Sequence, residues 1–594
     1  MKVENLPGRI NRVAFALALV LGAMDAWFFR DWNLNPDGVS YFDLAQTVAH
    51  HGIPAVINGY WSPLYPATLG AALRVFSPTA QTIYPLVRII GFLIFVGATM
   101  SFRRLLRIGV TTSAGYHTAP PVTRALILVA AWELYFLLVL KAIGLFLATP
   151  DMGVAMFVFW ECGELIAVTA TPLSTTRWAR FGIVLAIGYW WKAILFPVSG
   201  VMLLIAFWIA WRRRDGWRGP GAAGSAFAVL ALIIIVPVSM LVGRPTFGET
   251  GRLNQLWFVN DAPYVTTLCA PPGTYPPDQR VGAVRTNPVL IARPLTCPLP
   301  ELWPESTLPL WYDPSYWYHQ THTYVNLTES ATAVKRDIIY VRDALIDAAP
   351  LISVAFGLLA IIVLITRSSP LVAWPLVVLA LVPISFYLLV YVELRHIVPF
   401  LVVGGVAALL AIVARPGRWR QVVLAGTVAI GALDGALHLS EPVLIELSIF
   451  RHEVRGDPRP AQISALVAEL LTARGLSRGS RVATINTLWN ADWAQRAGFL
   501  VRAYTPEYVE QPAQTLAYLR DPCLLAAYDA TLRTQHIDAA VMVVAPGVRA
   551  PAGFEPLGDT GYFVRMIRVS LSASPTTDRD SPRKSVPRCF PPSM

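Results

Sequence analysis

Four short segments place acids and bases beside apolar stretches, where an unpaired charge is costly. Asp37 lies in Asn35-Pro36-Asp37-Gly38, just past the first apolar stretch. Asp151 opens another in Thr149-Pro150-Asp151, and Lys192 ends Gly188-Tyr189-Trp190-Trp191-Lys192. Arg395 lies in Glu393-Leu394-Arg395-His396, with Pro399 following. A carboxylate at such a place can take a proton from an attacking hydroxyl. Lys and Arg can hold a departing phosphate, Arg through two parallel bonds. Each residue also has a plainer use. Asp37 suits a helix cap. Thr149 suits a cap with Pro150 at the first helical position and Asp151 in the first turn. Lys192 and Arg395 can snorkel to an interface. Asp43 lies on a different helical face from Asp37 and is either solvated or a second acid.

Other groups carry less. Glu133, Lys141, Glu161 and Glu164 fall inside apolar segments, where they form an ion-pair network, mark short spans or serve a function. His319 and His322 have metal-ligand spacing but no partner acid or Cys. Asn326-Leu327-Thr328 matches a glycosylation pattern that often occurs by chance. The five cysteines contain no Cys-x-x-Cys, so zinc and thioredoxin-type chemistry are unsupported. In an oxidising compartment Cys269 and Cys297 form one candidate disulfide, and Cys523 and Cys589 another.

The elements that hold these residues are membrane spans. The 594-residue chain is 55% hydrophobic and 14% charged, against roughly a quarter charged in soluble domains. Its 19 Trp and 21 Tyr suit a membrane–water interface. Stretches of about 20 apolar residues fall at 12–30, 82–102, 124–147, 151–170, 181–197, 198–211, 225–243, 349–366, 370–391, 396–414 and 421–439. The first has no small-x-small cleavage site and reads as a retained span. The net charge of +11 is mostly topology. Arg103, Arg104, Arg107 and Arg124, then Arg177 and Arg180, then Arg212 to Arg214 and Arg218, then Arg415, Arg418 and Arg420 mark cytoplasmic loops. No basic run is interleaved with aromatics as nucleic-acid binding would need.

Parity then sets the rest. Both ends of 181–211 must be cytoplasmic, yet as one helix it would be about 46 Å long, too long for one span and too short for two. A short hairpin broken near Lys192 and Pro197 resolves this and puts Lys192 at its outer tip. Loops 31–81 and 244–348 fall outside, with everything after residue 440. The loop 244–348 is rich in Trp and Tyr. Residues 462–474 read as an amphipathic helix, 482–485 and 539–544 as strands, 523–535 as a helix and 561–567 as a further strand. The expected fold is therefore mainly α: a polytopic transmembrane helix bundle of about 11 spans, some short or broken. A small extracytoplasmic α/β C-terminal domain follows. The boundaries are 1–440 for the transmembrane module, 441–570 for the domain and 571–594 for a disordered tail. No GxGxxG or GxxxxGK[ST] indicates a nucleotide site.

The run from Asn35 through Asp37 and Asn58-Gly59-Tyr60-Trp61-Ser62-Pro63-Leu64-Tyr65-Pro66 resembles the first outer loop of the GT-C superfamily. These are polyprenyl-phosphate-sugar-dependent glycosyltransferases, among them protein O-mannosyltransferases and lipid A aminoarabinose transferases. Asp37 matches the family's catalytic acid by position, and Asp151 resembles its second acidic site. Gly188 to Lys192 and Arg395 to Pro399 resemble two further family segments. Gly251-Arg252-Leu253-Asn254 and Trp311-Tyr312-Asp313-Pro314 resemble segments of a bacterial branch. The resemblance implies a metal-independent, inverting hexosyl- or pentosyltransferase with no cofactor, its lipid-phosphate-sugar donor being a substrate. Asp37 and Asp151 would be catalytic, and Lys192 and Arg395 would bind the donor phosphate. Asp43, Tyr60, Trp61, Arg252, Trp311 and Tyr312 would bind acceptor or sugar. The partners implied are a polyprenyl-phosphate sugar, a glycan, lipid or protein acceptor, and membrane lipids, in cell-envelope glycan biosynthesis. The place implied is a bacterial inner membrane, with the site and C-terminal domain facing the periplasm. A transporter or flippase of lipid-linked sugars shares the broken hairpin and the intramembrane charges. No internal repeat of the transporter kind is found.

Overall fold

The computed structural model describes residues 6–170, 174–264, 280–284, 297–298, 306–365, 373–415, 417–438, 451, 460–485, 491–505, 512–545 and 547–567. Cys269, Cys589, Trp303 and the tail 571–594 lie outside them.

Apolar helices occupy every stretch where the sequence places a span. They are Leu6–Phe28, Ile83–Thr112, Pro121–Ile143, Asp151–Ala170, Thr175–Trp191, Leu195–Arg213, Arg218–Val242, Pro350–Ile365, Ala373–Leu388, Leu394–Val413 and Trp419–His438. Among the described residues, seven are long and apolar enough to cross a bilayer. The other four are short or carry acids: Asp151–Ala170 holds Glu161 and Glu164, and Thr175–Trp191 has 17 residues. The chain is an integral membrane protein. Leu394–Val413 runs through the centre, with most of its residues buried. Asp151–Ala170 packs beside it against Ile83–Thr112.

Close packing has a local cause at Gly182. A Cβ there would stand 2.0 Å from the backbone oxygen of Ala223, so glycine lets Thr175–Trp191 and Arg218–Val242 touch along their backbones. The intramembrane charges divide. Glu164 pairs with Arg104 at 2.9 Å and Arg180 at 3.3 Å, joining two of the basic loops at one end of the bundle. Lys141 donates to the Asp347 carbonyl at 3.2 Å. Glu161 is fully buried, and among the described residues neither of its carboxyl oxygens has a hydrogen-bond partner.

The hairpin breaks where charge parity requires. Thr175–Trp191 ends at Lys192, which is extended (φ −153°, ψ 131°), and the chain turns into Leu195–Arg213 with Pro197 in its first turn. Trp191 Nε1 donates to the Pro150 carbonyl at 2.7 Å and Trp190 Nε1 to the Leu230 carbonyl at 3.0 Å. These bonds fix the tip.

The loops at the opposite end from the basic turns carry their own helices. Pro36–His51 and Leu64–Phe76 follow the first span, and Thr250–Phe258, Pro309–Tyr312 and Leu327–Ala348 lie between Val242 and Pro350. Beyond residue 460 the chain builds a mixed sheet. Arg481–Ile485 sits between Leu500–Thr505 and Ala539–Val543, parallel to both. Tyr562–Met566 adds antiparallel to Ala539–Val543, with Glu555–Pro556 beyond it. The helices Pro460–Ala473 and Pro522–Thr534 and the strands at 481–485, 539–543 and 562–566 lie close to the expected elements. One edge strand was not foreseen: Cys297–Pro298 from the long loop pairs antiparallel with Leu500–Thr505. Cys297 and Cys523 each belong to a disulfide, and Cys162 is free and buried. The expected pairings of Cys297 and Cys523 with Cys269 and Cys589 involve residues outside the described set.

Candidate active site

Arg395 is the hub of the candidate site. It stands one residue inside Leu394–Val413, after an N-terminus closed by a reciprocal Glu393–His396 capping box. Its Nη2 donates to Asp37 Oδ2 at 2.9 Å and its Nε to Glu393 Oε2 at 2.6 Å. Asp151 Oδ2 lies 3.6 Å from that Nε. Lys192 donates to the other Asp151 oxygen, and the Thr149 hydroxyl donates to Asp151 Oδ2 at 2.8 Å. Four helix ends thus converge on one cluster.

Asp37 and Asp151 differ in access. The Asp37 side chain is 25% exposed and that of Asp151 is 3% exposed, so only Asp37 is open to an incoming molecule. Asp37 sits in the first turn of Pro36–His51, with Asn35 at the cap position. Its second oxygen accepts the Trp311 indole N–H at 3.1 Å. The capping use open to Asp37 in the sequence is therefore not the one observed.

These groups line a cavity of about 680 Å³ that Asp37, Asp151, Lys192 and Arg395 share with Tyr60, Trp61, Arg252 and Trp311. Tyr60 and Trp61 stack edge-on at 4.6 Å, and Trp311 lies 5.8 Å and 5.9 Å from them. The Trp61 indole donates to the Trp311 carbonyl at 2.9 Å, which fixes the aromatic wall. A second cavity of about 400 Å³ lies against the same cluster, bounded by Asn35, Pro36, Tyr264 and Trp311. Asp37, Tyr264, Trp311, Glu393 and Arg395 line both, so the two cavities adjoin at the Asp37–Arg395 pair.

A second charged centre went unnoticed in the sequence. Glu249 accepts from both Arg244 and Arg252, and both arginines line the large cavity. Burial pushes the Glu249 carboxyl up, but the bonds and charges of the two arginines outweigh it and hold it below the usual value. Arg252 also donates to the Thr321 carbonyl at 3.0 Å, the Thr321 hydroxyl at 2.9 Å and the Tyr318 carbonyl at 3.2 Å. Its fork therefore holds the loop as well as facing the cavity. Glu393 was quoted in the sequence only as a neighbour of Arg395. Its charge two residues before Arg395, at the start of an apolar span, was the signal that could have found it.

Two residues assigned to the site stand elsewhere. Asp43 is fully buried on a face of Pro36–His51 turned away from Asp37, and it is not among the residues lining the cavity. Tyr312 is buried too, its hydroxyl 2.9 Å from that of Thr47. Helical periodicity explains Asp43: six residues turn it away from Asp37. Among the described residues, no three His, Cys, Asp or Glu side chains are grouped to hold a metal ion.

The arrangement of helices resembles that of solved structures over most of the chain. ArnT from Cupriavidus metallidurans bound to undecaprenyl phosphate superposes with a TM-score of 0.52 at 12% identity, covering 95% of this chain and 98% of that one. The chain has the GT-C fold. Apo ArnT from the same organism (TM-score 0.37, 11% identity, 95% and 98% covered) and the apo oligosaccharyltransferase of Archaeoglobus fulgidus (0.43, 11%, 90% and 69%) are more distant. No family model matches the chain, and no curated protein matches it.

Proposed function

We propose that the protein is an inverting glycosyltransferase that moves a monosaccharide from a polyprenyl-phosphate donor to an acceptor hydroxyl. The observation that carries this reading is the convergence of Asp37, Asp151, Lys192 and Arg395, from four helix ends, on one aromatic-lined cavity. The undecaprenyl phosphate bound by ArnT, a protein of the same fold, supports a polyprenyl phosphate as the donor lipid.

The donor occupies the large cavity. Its lipid leaves past Ile194, Pro197, Phe386, Leu389 and Val390, the apolar side of that cavity. Its phosphate bonds Arg395 and Lys192, which stabilise the charge that grows as the sugar departs. The acceptor enters through the smaller cavity on the other side of the Asp37–Arg395 pair. The acceptor oxygen bonds to the anomeric carbon as that carbon's bond to the phosphate oxygen breaks. The electron pair leaves on the polyprenyl phosphate and the acceptor proton passes to Asp37. One displacement inverts the centre, as in inverting glycosidases. Asp151, saturated by Lys192 and Thr149, holds Lys192 in place. Tyr60, Trp61 and Trp311 offer ring faces to the sugar. The reaction needs no metal ion, since Lys192 and Arg395 supply the positive charge. The site faces the periplasm from a bacterial inner membrane, in line with the basic loops at the other end.

A transfer assay tests this. Purified protein in lipid is given a set of radiolabelled polyprenyl-phosphate sugars and membrane acceptors, and compared with Asp37→Asn. The proposal expects wild-type transfer and a loss of about 10²–10⁴-fold in the variant, with donor binding retained. Full transfer by Asp37→Asn moves the base elsewhere. Movement of a donor across the membrane with no transfer favours a flippase.

A further inference from the structure

The site helix Pro36–His51 is gripped from behind by the C-terminal domain. The contact is the short helix Asp492–Ala497. Gln495 Nε2 donates to the Val39 carbonyl and to Asp43 Oδ1, both at 2.9 Å. Tyr84 donates its hydroxyl to Asp492 Oδ1 at 2.7 Å and lies 3.1 Å from Gln495 Oε1. The Leu34 N–H donates to Asp492 Oδ1 at 3.2 Å. Arg496 donates to the Ala80 carbonyl at 2.9 Å and lies 3.8 Å over the Tyr84 ring. Asp43, Asp492 and Gln495 are all fully buried.

Asp43 also ties in the loop that bears the aromatic wall. It accepts from the Thr307 N–H and hydroxyl, both at 2.7 Å, and from the Leu308 N–H at 3.1 Å. Thr307 and Leu308 lead directly into Pro309–Tyr312, whose Trp311 holds Asp37. The bonds form a closed circuit: Asp37, its helix, Asp43, Thr307–Leu308, Trp311 and back to Asp37. Gln495 joins that circuit from another domain. A tether alone would not bury this polar network, whose value lies in fixing one geometry.

We infer that Asp43 and Gln495 are positioning residues for sugar transfer, through which the C-terminal domain sets the placement of Asp37 and Trp311. The inference rests on the transfer reading above. A displacement of about 1 Å at reacting groups can cost about 10²-fold in rate, so the network matters to chemistry more than to donor affinity.

The test uses the full-length protein in lipid and reads kcat, donor KM and amide hydrogen exchange. Gln495→Leu is expected to lower kcat by roughly 10- to 100-fold, leave donor KM within about twofold, and speed exchange at 36–43 and 307–312. Thr307→Ser, which keeps the hydroxyl, should retain kcat where Thr307→Val loses it. This pair decides the matter should Gln495→Leu not fold. A raised KM with unchanged kcat overturns the inference, as does equal kcat in the two Thr307 variants. Should wild type transfer no sugar, the functional reading fails separately. Exchange then decides: unchanged rates at 36–43 and 307–312 in Gln495→Leu overturn the coupling, and faster rates support it.

Discussion

Replacing Arg395 by glutamine removes a cation that touches three carboxylates. It donates to Asp37 at 2.9 Å and Glu393 at 2.6 Å and lies 3.6 Å from Asp151, with its side chain 11% exposed. In the variant, Asp37, Asp151 and Glu393 lose the cation they share, and Lys192 remains paired with Asp151. Unit charges about 4 Å apart interact by about 4 kcal/mol at an effective dielectric near 20. Desolvation offsets much of this, and breaking a buried pair by removing one partner costs about 3–5 kcal/mol. The Arg395→Gln protein should therefore unfold at a clearly lower temperature. Its transfer rate should fall by about 10²–10³-fold, the usual cost of losing one donor to a developing anion. Arg395→Lys restores the charge but not the fork and should fall between, with a loss of about tenfold. The assay is kcat on a polyprenyl-phosphate sugar, beside thermal unfolding of the same samples in detergent. An Arg395→Gln protein that is as stable and as fast as wild type would refute the assignment of Arg395 as hub and phosphate ligand.

Asp43 gives a pH prediction. Burial pushes its carboxyl up to about 6, against the bonds from Gln495, Thr307 and Leu308. The folded chain binds this proton more tightly than the unfolded chain, so the contribution is complete below about pH 4 and is lost as pH rises through about 6. The total is roughly 3 kcal/mol. The Tm of wild type minus that of Asp43→Asn should rise from pH 7.5 to pH 5, and a constant difference would contradict it. Gly153→Ala sets a Cβ 2.0 Å from the Trp191 ring, next to Lys192. It should cost about 1–3 kcal/mol by overpacking and lower transfer, seen as a lower Tm and kcat together. Treatment with a chelator should leave transfer unchanged, and a loss restored by a divalent ion would contradict the metal-free reading.

Much of the bundle was legible because the bilayer imposes simple rules. Apolar length marked the spans, and the two basic loops around 181–211 forced the break that is found at Lys192. The pairing of charges was not legible. Lys192 meets Asp151 across 41 positions of sequence, and Arg395 meets Asp37 across 358. Nothing in either segment names its partner. Glu249 escaped notice because an acid in a loop reads as solvated until two arginines are seen to bracket it. The Asp43–Gln495 bond spans 452 positions of sequence, and the short strand Cys297–Pro298 is too brief to carry a period.

Among the described residues, the large cavity is lined by four cations, Lys192, Arg244, Arg252 and Arg395, and by four carboxylates, Asp37, Asp151, Glu249 and Glu393. Before any substrate arrives, its formal charges cancel. A phosphate that enters is therefore a rival of resident anions for a guanidinium that already has partners. This makes the cavity an ion exchanger with its counter-ions built in. On the proposed function, the acids displaced by the phosphate stand ready, once the sugar has moved, to reclaim Arg395 and Lys192 and to expel the spent lipid phosphate. Resetting between turnovers is then a property of the same acids that hold the empty site together.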